Sequence, residues 1–267
     1  MKQNDFIISA NYKELDDITD LFNVKDSVST WKDIVWDNLK DKVRIRYVKN
    51  VLLDYQYKNV PYKKFLDLAK IIHIESKDKN NNKNSYVINN ADMKHFGISE
   101  EELFEIAENN TNYDMDVRLF SFKDYLNRLN NPFFAITKTN IQAKLGIAYQ
   151  GGELSMIDDE RVLILTKIDN TFGSSYCFLD RFLNRVRKQF NNDDFYIVPL
   201  SIHQIMYIDK EYLTDDGNKT LYEAEQDLFY MLNDLNGDLS WQNVLTYNVY
   251  YYSNSNKSIM MIKNLYK

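Results

Sequence analysis

Apolar positions along the chain fall into several periods. In "YKELDDITDLFN" (12–23) Leu15, Ile18 and Phe22 recur at helical spacing, which predicts a helix. In "STWKDIVWDNLKDKV" Trp31, Ile34, Val35 and Leu39 form a stripe, with Thr30 as N-cap and Asp33 three residues on, which predicts a second. "RIRYV" (44–48) reads as a short strand. "VPYKKFLDLAKIIHIES" (60–76) reads as a helix that finishes as a strand. "KDKNNNKN" (77–84) is a polar, low-complexity loop.

Two later segments share an outline. They are "SYVINNADMKHFGISEEELFEIAENNTNYDMDVRLFS" (85–121) and "RVLILTKIDNTFGSSYCFLDRFLNRVRKQFNNDDFYIVPLS" (161–201). Each runs strand, Asn/Asp turn, Phe-Gly, serine, amphipathic helix, acidic turn, strand. Phe96-Gly97 matches Phe172-Gly173, and Ser121 matches Ser201. The pattern reads as a βαβ-like pseudo-repeat. Two independent units would look the same, because both need a turn glycine and a helix cap.

Ser99 and Glu102 form a capping box, ahead of core-facing Leu103, Phe104, Ile106 and Ala107. Phe178, Leu179, Phe182, Leu183 and Val186 do the same in the second unit. "QGGE" (150–153) is the clearest break between the segments, so the halves are expected to be 1–150 and 151–267. Thr220 and Glu223 cap a helix that ends near Gly237, and "VYYYSNSNKSIMMI" (249–262) reads as a β-hairpin with a polar turn. The expected fold class is α+β: two loosely repeated halves with mixed sheets, N-terminal helices, and a C-terminal helix and hairpin.

Composition narrows the function classes. The 267 residues carry a net charge of −6, which argues against a nucleic-acid binder with a basic face. Short acidic pairs such as Asp193-Asp194 and Asp215-Asp216 leave an acidic nucleic-acid mimic as one reading and a solvated surface as the plainer one. Cys177 is the single cysteine, so no intrachain disulfide is possible and a reducing cytoplasm is the expected location. No apolar run is long enough for a membrane span.

The candidate chemistry centres on "DFYIVPLSIHQIMYI" (194–208). Ser201 and His203 are the candidates for a catalytic pair. On one continuous strand they share a face, but their Cα atoms stand ~6.6–7 Å apart. A nucleophile and its base need ~2.6–3.2 Å between heavy atoms. Pro199 removes a ladder donor, so a bend at Pro199–Ser201 between two strands is expected. The plainer reading makes Ser201 a turn-bonding serine and His203 a satisfied, half-buried histidine.

His73, His95 and His203 lack ligand spacing, so no metal is expected. Cys177 opens a helix but sits among core residues, and a buried structural thiol is expected. "DNTFGSS" lacks either phosphate-loop pattern, and no cofactor is expected. Tyr247, Tyr250, Tyr251 and Tyr252 are the candidate interaction residues, with sheet packing as the alternative.

Several motifs together resemble a Firmicutes domain-of-unknown-function family, number 5688. They are "VPYKKFLDLAKI", "YVINNADMKHFGISEEELFEIAENNT", "VRLFSFKDYLNRL", "LILTKIDNTFGSS" and "DFYIVPLSIHQIMYI", spread over about residues 35–252. The family's Pro-Ser-Ser is Pro199-Leu200-Ser201 here, and its His-Glu is His203-Gln204, which puts a family-wide acid or base at that glutamate in doubt. The resemblance implies an accessory gene of a phage or mobile element. Because no motif supplies a nucleophile–base–orienter set, a nucleotide site or a metal site, the first functional expectation is a non-enzymatic protein that binds a protein partner, and the resemblance adds an inhibitor of a host defence system as its role. The alternatives are a hydrolase-type enzyme using Ser201 and His203, and the acidic mimic.

Overall fold

The computed structural model describes residues 12–16, 35–77, 83–128, 161–191, 193–214, 219–237 and 239–262. The fold class is α+β, and the described residues form two compact units that divide between Met115 and Asp116. The boundary expected near residue 150 falls outside the described residues.

The first unit is built on a five-stranded sheet: β1 (Tyr12–Leu15), β2 (Val43–Lys49), β3 (Lys63–Phe65), β4 (Leu68–Lys77) and β5 (Lys83–Val87). The order is β1-β5-β4-β2, with β3 also on β4. The helix expected over 12–23 is corrected at its start: Tyr12–Leu15 is a strand, parallel to β5, with Tyr12 opposite Lys83. The rest of that segment, together with Thr30, Trp31 and Asp33, lies outside the described residues. Residues 36–42 form two 3-10 turns.

The helix-then-strand expected over 60–76 is corrected too, because β3 and β4 form a hairpin that turns at Leu66 (φ +55). On β4, Leu68, Ala69, Ile71, Ile72, His73 and Ile74 are all fully buried. A strand covered on both faces shows no alternation, and Phe65, Leu68, Ala69 and Ile72, spread over the two strands of the hairpin, fall at i, i+3, i+4 and i+7 and so mimic a helix.

Two helices follow, α1 (Asn90–Phe96) and α2 (Glu100–Asn112). Asn89 and Asp92 form a reciprocal capping box on α1. Gly97 (φ +66) closes it in the left-handed conformation that glycine adopts without a Cβ penalty. Ser99 caps α2, accepting the Glu102 N–H at 3.1 Å. Leu103, Phe104 and Ala107 are buried, while Ile106 is half-buried. Thr111 accepts the Ile45 N–H at 2.9 Å and donates to the Ala107 carbonyl at 2.6 Å, tying α2 to β2. Buried Arg46 is paired with Glu14 at 2.8 Å, and Glu14 also accepts from Tyr57 and Gln56.

The second unit holds a six-stranded sheet: β6 (Val117–Ser121), β7 (Val162–Lys167), β8 (Phe195–Pro199), β9 (Ile205–Asp209), β10 (Tyr250–Ser253) and β11 (Ser258–Met261). The order is β11-β10-β8-β9-β7-β6, and every pair is antiparallel. Its helices are α3 (Phe122–Arg128), α4 (Asp180–Gln189) and α5 (Leu221–Gly237). One face of the sheet packs Tyr196, Val198, Met206 and Ile208 against Leu228, Phe229, Met231 and Leu232 of α5. Phe182, Leu183 and Val186 are the buried stripe of α4. Thr220 and Glu223 cap α5 reciprocally. The C-terminal hairpin turns over residues 254–257.

The two look-alike segments differ in space. β5 and β6 belong to different sheets, whereas β7 and β8 run parallel within one sheet, with β9 between them. The Phe-Gly pairs differ as well. Gly97 is itself left-handed, but in the second pair Phe172 is the left-handed residue (φ +42) and Gly173 opens a 3-10 turn.

Candidate functional site

The site grows from the turn between β8 and β9. Pro199 sits opposite Ile205, so the chain reverses over five residues, 200–204. The bend expected at Pro199–Ser201 is there, with a strand on each side. Both Leu200 and Ser201 donate their N–H groups to the Gln204 carbonyl, at 3.0 and 3.2 Å. The Ser201 hydroxyl accepts the N–H groups of His203 (3.0 Å) and Gln204 (3.2 Å) and donates to Gln204 Oε1 at 3.3 Å. Serine does this because its short side chain reaches its own backbone two and three residues on.

The second part comes from "DNTFGSS". Asp169 Oδ1 accepts from the Thr171 N–H and hydroxyl, a tight turn that delivers Phe172 in its left-handed conformation. The Phe172 N–H then donates to His203 Nδ1 at 3.1 Å. Gly173 N–H and the Thr166 hydroxyl both donate to the His203 carbonyl, each at 3.1 Å. Ser174 donates to the Ile202 carbonyl through both its N–H (3.3 Å) and its hydroxyl (2.6 Å). Ile202 donates its N–H to the Asn243 carbonyl at 2.9 Å. A Cβ on Gly173 would lie 2.3 Å from the His203 carbonyl oxygen, so only glycine fits this approach.

Ser201, His203, Thr166, Thr171, Ser174 and Ser175 are all essentially fully buried. An Nδ1 that accepts a hydrogen bond carries no proton, so the imidazole is neutral with its hydrogen on Nε2. Ser201 and His203 are thus brought together in one turn. The hydroxyl engages backbone N–H groups and Gln204, and Nδ1 engages Phe172. The histidine expected to be half-buried is wholly buried.

The other candidates lie elsewhere. His73 is buried on β4, with Nδ1 3.0 Å from the Ser85 hydroxyl, and His95 stacks edge-on to Phe96. Among the described residues no group of three or more His, Cys, Asp or Glu side chains is placed to hold a metal ion. Cys177 is fully buried, and burial pushes its thiol well up from its ordinary value. Among the described residues no helix is long and apolar enough to cross a membrane.

The four tyrosines divide. Tyr250 packs edge-on to Phe178, and Tyr252 stacks on Phe195 at 4.7 Å; both are buried. Tyr251 points to the opposite face. Its hydroxyl donates to Asp194 Oδ2 and accepts from Lys210 Nζ at 3.2 Å. Asp194 Oδ1 accepts the Asn254 N–H at 2.7 Å, fastening the β10–β11 turn to the start of β8. Burial pushes the Asp194 carboxyl up, but Tyr251, Asn254 and Lys210 overcome it and hold the group below its ordinary value. The Tyr251 bond, then Asp194, raise Lys210. Burial, then the Glu225 acceptor at 2.6 Å, raise the Tyr196 phenol.

Tyr247 is exposed, and the surface of this unit carries further aromatics that periodicity did not single out: Tyr222, Tyr230 (60%) and Trp241 (56%). The network of Asp194, Lys210 and Tyr251 also escaped the sequence, since its members lie on three different strands or strand ends. The rarity of glycine in the chain was the one available signal for the Gly173 approach.

The two motifs that meet here, "LILTKIDNTFGSS" and "DFYIVPLSIHQIMYI", are among those that carry the family resemblance. The family model described as "Family of unknown function (DUF5688)" matches residues 11–254, and the chain belongs to that family. No curated protein and no solved structure matches the chain.

Proposed function

We propose that the chain acts by binding a protein partner through exposed aromatic side chains of its second unit, and that Ser201 and His203 serve the fold on which that surface stands. The observation that carries this reading is the exposure of Tyr230 and Trp241, with Tyr222 and Tyr247 also in solvent. Large aromatics give much contact area for little conformational entropy and are enriched at the centres of interfaces. On α5, Glu223, Tyr230 and Asp234 fall at positions i, i+7 and i+11, on one face of the helix. A basic partner surface complements that face. The reading places the protein in the cytoplasm of a cell that hosts a phage or mobile element, with a host-defence protein as the first partner to examine.

The test is affinity purification of the full chain from its native host, beside a Tyr230→Ala/Trp241→Ala double variant. The expected result is a protein captured by the native chain and lost with the variant, at an unchanged melting temperature. A Ser201→Ala or His203→Ala variant that keeps its melting temperature but loses biological activity would overturn the reading.

A further inference from the structure

A cavity of about 410 Å³ opens over β6, the outermost of the described strands of the six-stranded sheet on that side. Its floor is apolar. Leu119 and Leu163 come from β6 and β7, and the register places Ser121 directly opposite Leu163, on the same face as Leu119. Its walls are polar and carry both signs of charge. Lys123 and Asp124 come from α3 on one side, and Arg185 and Gln189 from α4 on the other.

Buried Phe182, Leu183 and Val186 define the inner face of α4, which leaves Arg185 and Lys188, at i and i+3, exposed on the outer one, while Arg181 lays its guanidinium over the Phe182 ring. Arg185 and Lys123 thus place two cations on one cavity of a chain whose net charge is −6. Arg185 makes no hydrogen bond or ion pair among the described residues, so its guanidinium donors are available to a ligand. The Ser121 oxygen accepts the Asp124 N–H at 3.1 Å, which leaves its own proton to donate.

We infer that this cavity binds a small phosphate monoester carrying a hydroxylated ring, as in a nucleoside monophosphate. Arg185 and Lys123 neutralise the phosphate dianion, and Arg185 supplies the planar fork of donors that suits phosphate. Ser121 adds a neutral donor. Asp124, which would repel a bare anion, instead accepts from ring hydroxyls, with Gln189 free to donate or accept. Leu119 and Leu163 lie under the ring. The volume exceeds the need of orthophosphate and falls within the range of small-molecule sites, roughly 300–1,000 Å³.

The experiment is isothermal titration of the full chain with adenosine 5′-monophosphate, ribose 5-phosphate, adenosine and orthophosphate. Both esters are expected to bind saturably and more tightly than adenosine or orthophosphate, with affinity that falls as salt rises. Arg185→Glu is expected to lose about tenfold or more, from the loss of a charged hydrogen bond. Its melting temperature should hold, because Arg185 is exposed. Lys123→Glu gives an independent second variant. The inference fails if neither ester binds, if adenosine or orthophosphate binds as tightly as the esters, or if both variants bind them unchanged. This result is independent of partner capture, which is read on Tyr230 and Trp241.

Discussion

The imidazole of His203 accepts the backbone N–H of Phe172 at 3.1 Å, across 31 residues of chain. It is the point at which the two most distinctive stretches, "FGSS" and "PLSIHQ", are fastened together. Both partners are buried, so the bond replaces what water would otherwise supply.

Replacing His203 with Ala removes that acceptor, strands a buried N–H and leaves a cavity. The expected cost is about 3 kcal/mol of stability. Asn, whose Oδ1 reaches about the position of Nδ1, should recover part of it. Urea unfolding of the three proteins checks this, and equal midpoints would show that the bond carries little.

Ser201→Ala removes one acceptor that serves two backbone N–H groups, those of His203 and Gln204. A loss of about 2 kcal/mol is expected. Ser201→Thr keeps the oxygen and should lose less, provided its methyl is accommodated. Thermal unfolding distinguishes this from a catalytic serine, whose alanine variant would keep its melting temperature.

The two Phe-Gly pairs should respond differently to alanine. At Gly97 a Cβ meets nothing within 4 Å, so only the left-handed backbone is penalised, by about 1–2 kcal/mol. At Gly173 the Cβ would strike the His203 carbonyl at 2.3 Å, and about 3 kcal/mol or more is expected. Because the two glycines lie in separate compact units, hydrogen exchange should place the Gly173→Ala loosening in β7, β8 and β9.

Asp194 gives the stability a pH dependence of definite sign. Its folded value lies below the ordinary one, so the folded state holds the carboxylate more firmly than the unfolded chain does. The stabilisation is present in full above the unfolded value of about 3.9 and is lost as pH falls through the lower folded value. Stability measured in urea against pH should therefore fall less steeply in acid for Asp194→Asn than for the native chain. Tyr251→Phe, which removes the hydroxyl that donates to Asp194, should lie between them.

The elements legible in the sequence are those whose causes are local. Ser99 on Glu102, Thr220 with Glu223, the turn at 254–257 and the bend after Pro199 each depend on residues a few positions apart. The same holds for the α+β class and for the family, because ordered motifs survive without knowledge of their contacts. Where partners lie far off, the local pattern misled. Leu15, Ile18 and Phe22 suggested a helix, yet Tyr12–Leu15 is a strand because β5, with Lys83 opposite Tyr12, offers its edge.

The site divides in the same way. That Ser201 sits in a turn could be read from proline, serine and alternation. That the turn is sealed by Phe172, Gly173 and Ser174, that Tyr250 and Tyr252 are core while Tyr251 binds Asp194, and that Arg185 overlooks a cavity beside β6 are set by strand order. By itself the sequence determined the caps, the bends and the family, whose hydrogen bonds and spacings span a few residues. The tertiary structure alone decided which side chains are buried together, because burial depends on what the sheet brings across from the other end of the chain.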